Sequence, residues 1–260
     1  MVEAPGWPGI PARWTSSAKD GVGAAFSERS RVWFTISHGI VNEIYYPRVD
    51  QACVRDLGLI VTDGDTFFAE VKRDCQTVVE RIEDGVPAFR LTSTHRGGRF
   101  RMVNRVITDP RSDSVVLEIR LEDSSKTGLR VFALLAPHLV NAGAHNRGQL
   151  AEYKGHEMVC AAGGGTHLVM LANPQFLARS VGFVGASDGW RQLRDHGRLA
   201  DPYDTATDGN IALSAELAMG ADGASVVTVG FGRTVAEAGY HALTSSMSPF
   251  ETILDDYSSG

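Results

Sequence analysis

Cysteine is scarce in this chain: three in 260 residues, Cys53, Cys75 and Cys160, far apart and without a CxxC pair. An odd, scattered set argues against a disulfide framework or a zinc site, and three buried, inert thiols are the expectation. Long apolar runs are missing too, since nothing approaches the about 20 residues that a membrane-spanning helix needs. The opening stretch, MVEAPGWPGIPARW, lacks a basic region followed by an apolar one, so it does not read as a secretion signal. As given, the chain reads as cytoplasmic; a leader removed beforehand would leave secretion open. No basic stripe is present and the net charge is -6. That balance argues against nucleic acid or an anionic membrane as partner. There is no glycine-rich phosphate loop and no HExxH, so neither a cofactor nor a metal is expected.

What is there is period-two alternation. Val115, Leu117, Ile119 and Leu121 form one row, with Val116, Glu118, Arg120 and Glu122 on the other side. Ile211, Leu213, Ala215 and Leu217 alternate in the same way with Ala212, Ser214, Glu216 and Ala218, and Val227, Val229 and Phe231 form a further row. Strands of this pattern bury one face and wet the other, as antiparallel sheets do. Further β-like runs lie at Val32–Ser37, Leu57–Thr62, Phe67–Lys72, Val78–Ile82, Phe89–Thr94, Phe100–Thr108, Leu129–Leu135 and His167–Leu171. Turn signals punctuate them: Thr62-Asp-Gly-Asp65, Glu83-Asp-Gly85, Arg96-Gly-Gly98 and Gly163-Gly-Gly165. Many short strands without a βαβ rhythm predict an all-β sandwich or barrel in one domain.

The C-terminal end differs. Thr234-Val-Ala-Glu237 is a capping box that opens a short helix over Val235–Leu243. Ser248-Pro-Phe-Glu251 is a second one, with Pro249 at the first helical position. The helix it opens carries Phe250, Ile253, Leu254 and Tyr257 on one stripe. That stripe has no evident partner in the sequence: it either packs back on the domain or leads into a further one, and the second reading is preferred. Residues 1–247 are therefore read as the β domain, and 248–260 as the start of a helix leading into a further domain.

Several groups could carry chemistry. Gly185-Ala-Ser-Asp-Gly189 matches the G-x-S-x-G nucleophile elbow. That elbow needs a strand-to-helix turn in an α/β sheet, so a backbone-bonding loop is the preferred reading here. The histidines, His38 and His138 among them, show no metal-ligand spacing. His138 with Glu43 could serve as the acid and base of a sugar epimerase if the fold brought them together. Asp201, Asp204 and Asp208 lack the alternating spacing of a calcium loop and read as solvated turn carboxylates. Asn42-Glu-Ile-Tyr45-Tyr46-Pro-Arg48, together with Trp14, Trp33 and Trp190, offers flat faces beside polar groups. Such surfaces suit sugar rings or a protein interface. The candidates for an interdomain or substrate-pocket role are thus Asn42, Tyr45, Tyr46, Arg48, Ser187, Asp188 and Trp190.

An ordered set of strings resembles the start of prokaryotic glucoamylases and glucodextranases. It runs through Trp14-Thr-Ser-Ser-Ala-Lys-Asp-Gly21, Ser30-Arg-Val-Trp-Phe34 and Gly39-Ile-Val-Asn-Glu-Ile-Tyr-Tyr-Pro-Arg48. It continues through Arg55-Asp-Leu-Gly58, Val61-Thr-Asp-Gly64, Ala136-Pro-His-Leu139 and Tyr153-Lys-Gly155. It closes with Ser180-Val-Gly-Phe-Val-Gly-Ala-Ser-Asp-Gly-Trp190 and Gly209-Asn-Ile-Ala-Leu213. The resemblance implies a β-supersandwich of two large antiparallel sheets, similar to galactose-mutarotase folds. It also implies that a helical linker and an (α/α) barrel follow in the same polypeptide. In that family the barrel carries two glutamates that hydrolyse terminal α-glucosidic bonds with inversion. No residue of this chain matches those motifs, so no catalytic residue is carried over.

The resulting expectation is a non-catalytic accessory domain of an inverting α-glucan hydrolase, partnered by the barrel and also able to meet an α-glucan. The alternatives that stay open are a stand-alone carbohydrate-binding module, a mutarotase-like epimerase and, at Ser187, a serine hydrolase.

Overall fold

The computed structural model describes residues 1–15, 18–123 and 128–258. Ser16 and Ser17, inside the first of the resembling strings, lie outside the described residues, as do Ser259 and Gly260. In chain order the chain builds β1 (Gly21–Ala24), β2 (Trp33–Ser37), β3 (Ile40–Tyr45), β4 (Ala52–Thr62), β5 (Phe68–Glu70) and a one-turn helix α1 (Val71–Asp74). Then come β6 (Cys75–Arg81), β7 (Phe89–His95), β8 (Phe100–Thr108), β9 (Ser114–Asp123) and β10 (Arg130–Pro137). Next are β11 (Asn146–Tyr153), β12 (His156–Gly163), β13 (Thr166–Asn173), β14 (Ala178–Phe183) and the helix α2 (Gly189–His196). The last elements are β15 (Thr205–Gly209), β16 (Ile211–Leu217), β17 (Ala224–Gly232), α3 (Val235–Ser246) and α4 (Phe250–Ser258).

The strands form two antiparallel sheets. One has the order β1-β2-β3-β4-β10-β16-β14, with β5 beside β4; the other runs β15-β11-β12-β13-β17-β9-β8-β7-β6. Between them lies one apolar core that includes Phe34, Ile36, Leu57, Leu59, Phe100, Met102, Ile119, Phe183 and Phe231. The supersandwich expected from the resemblance is thus the fold observed. No helix among the described residues is long and apolar enough to cross a membrane.

Tight turns set the registers. His38-Gly39 has φ values of 53° and 76° between the paired Ser37 and Ile40. Gly164 and Gly165 join the paired Gly163 and Thr166 with φ of 56° and 79°. Both residues of such a two-residue hairpin need positive φ, which glycine adopts without strain.

Several expectations are corrected. The alternation predicted strands wet on one face, yet every residue of β16 and all but one of β17 are buried, as is β9 from Ser114 to Ile119. Helices roof the outer faces. α3 covers Met158, Cys160, Val169 and Leu171, and α4 covers Val86, Ala88, Ile107 and Val116. The charged residues of the outer rows survive burial through ion pairs. Arg130 forks onto Glu216 with two bonds of 2.7 Å, and Arg105 onto Glu118 at 2.9 and 3.0 Å. Such bidentate pairs supply the hydrogen bonds that a buried carboxylate requires.

The apolar stripe of the last helix also has a home. Phe250, Ile253 and Leu254 are buried on the nine-stranded sheet, and the Tyr257 hydroxyl donates to the Thr108 carbonyl at 2.7 Å. Thr234 caps α3 as predicted by accepting from the Glu237 amide at 3.1 Å, and the helix runs three residues further, to Ser246. Ser248, read as the next cap, turns its hydroxyl back to the Thr244 carbonyl at 3.4 Å. Phe67–Lys72 is strand only over β5, because the chain then turns through α1.

Candidate functional site

A cleft of about 500 Å³ opens on the outer face of the eight-stranded sheet. Its floor is apolar: Ile40 of β3, Gly58 of β4, Leu134 of β10 and Ala212 of β16. Gly58 sits mid-strand opposite Leu134, and a methyl group there would find no atom within 4 Å. The opening exists because α2 roofs only one side of this face. Leu193 seals Ile60 and Phe132, with Trp190, Phe68 and Leu199 packed around them. Ile10 and Trp14 of the N-terminal segment line the cleft too, and α1 contributes Lys72 and Arg73.

The segment Gly185–Gly189 is built around helix initiation. Asp188 Oδ1 accepts from the Arg191 amide at 3.0 Å and Oδ2 from the Gly185 amide, which makes Asp188 the N-cap of α2. Ser187 is buried, and its Oγ accepts from the Phe183 amide at 3.0 Å. The serine thus has a structural task, as the sequence preferred. What the sequence missed is that a helix follows it. Trp190, in the first turn, donates from Nε1 to Glu70 Oε2 at 3.2 Å and meets Phe68 edge-on at 5.7 Å. It carries the Arg194 guanidinium over its ring at 5.1 Å.

The rim is charged, with more cations than carboxylates, and each of its cations has a partner in the wall. Arg55 and Lys72 reach the Asp56 carboxylate at 3.2 and 3.6 Å. Arg73 lies 3.2 Å from Glu70, Arg194 pairs with Asp195 at 2.7 Å, and Arg191 donates to the Gly185 carbonyl at 2.9 Å.

The other candidates scatter. Asn42 is fully buried; its Oδ1 accepts from the Thr15 hydroxyl at 2.6 Å, and Thr15 lines the cleft. Its Nδ2 has no hydrogen-bond partner among the described residues. Tyr45 donates to Glu43 at 2.6 Å, and burial with that bond pushes the phenol pKa up. Tyr46 turns into the core, stacked on Phe231 at 5.3 Å, with Arg31 bonded to its hydroxyl at 3.1 Å. Arg48 lies on an exposed loop, bound to Asp50 by two bonds of 2.9 Å. So Asp188 and Trp190 share the cleft, Asn42 adjoins it through Thr15, and Ser187 stands behind it. Tyr46 and Arg48 are elsewhere. Gly58, Arg55, Asp56, Lys72 and Glu70 were not singled out as site residues. The legible signal was Gly58, a glycine inside an apolar strand run.

His138 and Glu43, weighed as an acid and base, are each engaged separately. Glu43 holds Lys19 at 2.7 Å and receives Tyr45. His138 is buried beneath Trp14, ring centroids 4.6 Å apart, with neither ring nitrogen hydrogen-bonded to a described residue. Burial, with Arg55 nearby, drives its pKa down to about 4, so the ring is neutral at pH 7. The three cysteines are free and buried; burial pushes the thiols up to about 11 for Cys53 and Cys75 and about 12 for Cys160. Asp204 accepts the Val2 amide at 2.7 Å, and Asp208 meets His145 at 2.7 Å, so both tether chain segments.

The chain is 28% identical over 260 residues to a glucoamylase of Clostridium sp. (strain G0005), covering 99% of this chain and 36% of that one. A crystal structure of a bacterial glucoamylase complexed with acarbose superposes with a TM-score of 0.95 at 28% identity, over 99% of this chain and 38% of that chain. The chain therefore spans little more than a third of these relatives. A putative aldose 1-epimerase of Escherichia coli K12 aligns with 82% of this chain at a TM-score of only 0.43 and 9% identity. The sequence profile of the family described as glucodextranase, domain N, matches residues 4–260. Since that match takes in both sheets, the cleft and the helix that covers the nine-stranded sheet, the chain belongs to the glucodextranase N-domain family.

Proposed function

We propose that this chain is a non-catalytic accessory domain of an inverting α-glucan hydrolase, whose catalytic (α/α) barrel is a further part of the same polypeptide. The observation that carries this reading is the alignment of 99% of the chain with 36% of a glucoamylase. Its task is to support the barrel, and the Ser187–Trp190 segment is the candidate for shaping a substrate pocket. Residues 248–260 then start the linker while anchoring it to the nine-stranded sheet through Phe250, Ile253 and Leu254.

Two measurements test this. The purified 260-residue chain is expected to release no glucose from maltose or dextran, and sustained release would overturn the proposal. The coding frame past Gly260 is expected to continue into a helical region with two separated glutamate motifs; a stop codon there would equally overturn it. The second reading, a carbohydrate-binding module, is favoured by one observation, the open cleft over Gly58.

A further inference from the structure

We propose that the cleft over Gly58 is a binding subsite for a short, neutral α-glucan, held by the accessory domain itself. The choice of sugar rests on the reading above; the choice of a neutral polyol rests on the cleft.

Gly58 is the first argument. A glycine inside a central strand weakens the strand, and it is commonly found where something must approach the backbone closely. At two other strand glycines, Gly230 in the central β17 and Gly182 in the edge strand β14, the space is taken. A methyl on Gly230 would lie 2.4 Å from the Ala238 carbonyl oxygen of α3, and one on Gly182 would lie 2.2 Å from the Ser187 carbonyl oxygen. Gly58 has nothing within 4 Å. No part of the described chain uses the room it leaves.

The wall chemistry is the second. Trp190 is half-buried and Trp14 is 43% exposed, and both stand over a floor of Gly58, Leu134 and Ala212. Aromatic and aliphatic surfaces pack against the C–H faces of pyranose rings, while a few fixed polar groups orient the hydroxyls. The volume of about 500 Å³ falls within the range of roughly 300–1,000 Å³ found for small-ligand sites.

The charge arrangement is the third, and it selects between ligands. Arg55 and Lys72 share Asp56, Arg73 is on Glu70, Arg194 on Asp195, and Arg191 is fixed to a carbonyl. Each cation already has a partner in the wall, so none is held ready for a phosphate or an acidic peptide, although the cations outnumber the lining carboxylates Asp56, Glu70 and Asp188. Paired carboxylate and guanidinium groups, each with lone pairs or N–H groups left over, are instead suited to hydroxyls that both donate and accept.

The test uses the 260-residue chain with maltotetraose and isomaltotetraose as probes, followed by calorimetry and tryptophan fluorescence. Saturable binding of one of them is expected. A Cβ at Gly58 meets no atom within 4 Å, so the side chain of Gly58→Leu starts into the open cleft, and the variant should keep the wild-type Tm yet bind at least about tenfold more weakly. Trp190→Ala is the second variant and should weaken binding in the same sense. Absence of binding to the wild-type chain would overturn the subsite, and so would binding that Gly58→Leu leaves intact. If Gly58→Leu instead breaks a stable association of this domain with the barrel while no sugar binds, the cleft is a docking face and the subsite is likewise overturned. None of these results bears on glucose release or the reading frame, so this proposal and the accessory-domain reading fail separately.

Discussion

Gly58 and Gly230 both interrupt central strands, and their surroundings make opposite demands on a methyl group. At Gly230 the added carbon would sit 2.4 Å from the Ala238 carbonyl oxygen and 2.6 Å from the Ala242 amide nitrogen, because α3 lies directly on β17. Gly230→Ala is expected to cost roughly 1–3 kcal/mol through overpacking. Gly58→Ala is expected to be neutral or to gain about 0.5–1 kcal/mol, since alanine loses less backbone entropy on folding than glycine. Urea unfolding of the two variants checks this, and equal midpoints would refute it. His138 makes a second residue-scale case. Its pKa falls from 6.5 to about 4 on folding, through burial first and Arg55 second. The unfolded ring takes up a proton below 6.5, whereas the folded ring resists it until about 4. Its contribution to stability is therefore complete above pH 6.5 and is lost as the pH falls toward 4, by up to roughly 3 kcal/mol. His138→Leu should flatten the fall in Tm between pH 7 and pH 4 relative to the wild type, and an unchanged profile would show that another group is responsible.

At the scale of elements, α4 is the one whose surroundings the sequence could not supply. Its stripe was plain, but its partner comes from Val86, Ala88, Ile107 and Val116, far away in the chain. Ile253 is fully buried among them, so Ile253→Ala is expected to cost about 2–5 kcal/mol in urea unfolding. A loss below about 1 kcal/mol would mean that α4 is not part of this domain's packing. The helix α2 shows the reverse case. Its sequence, GWRQLRDH, is mostly polar and starts with glycine, so no apolar periodicity marked it. The signals it does carry sit at its ends, the Asp188 cap and Gly197 at φ +65°, and without an apolar run between them the segment reads as a loop. Among strands, those with long apolar rows were legible. β11, with the sequence NRGQLAEY, was not, since it lies near the edge of the nine-stranded sheet and buries few of its side chains.

For the molecule as a whole, the two outer faces are treated differently. α3 and α4 roof the nine-stranded sheet, whereas α2 roofs only part of the eight-stranded one, and the cleft is the part left open. The proposed role follows from that asymmetry together with the family. One face is covered within the domain, and the other is left partly open. The glucose-release test belongs at this scale, because it asks whether the groups on the open face act alone or only beside a catalytic domain. Period-two alternation, glycine turns and capping boxes, together with the ordered strings of the family, determined that this protein is a β-supersandwich of the glucodextranase kind. Those signals are local, or preserved in linear order, so a sequence carries them in full. Which residues face one another across the sheets was decided only by the tertiary structure. Gly58 became a cleft floor, Tyr46 a core residue and the α4 stripe a buried one because each depends on groups more than a few residues away, whose approach no local pattern encodes.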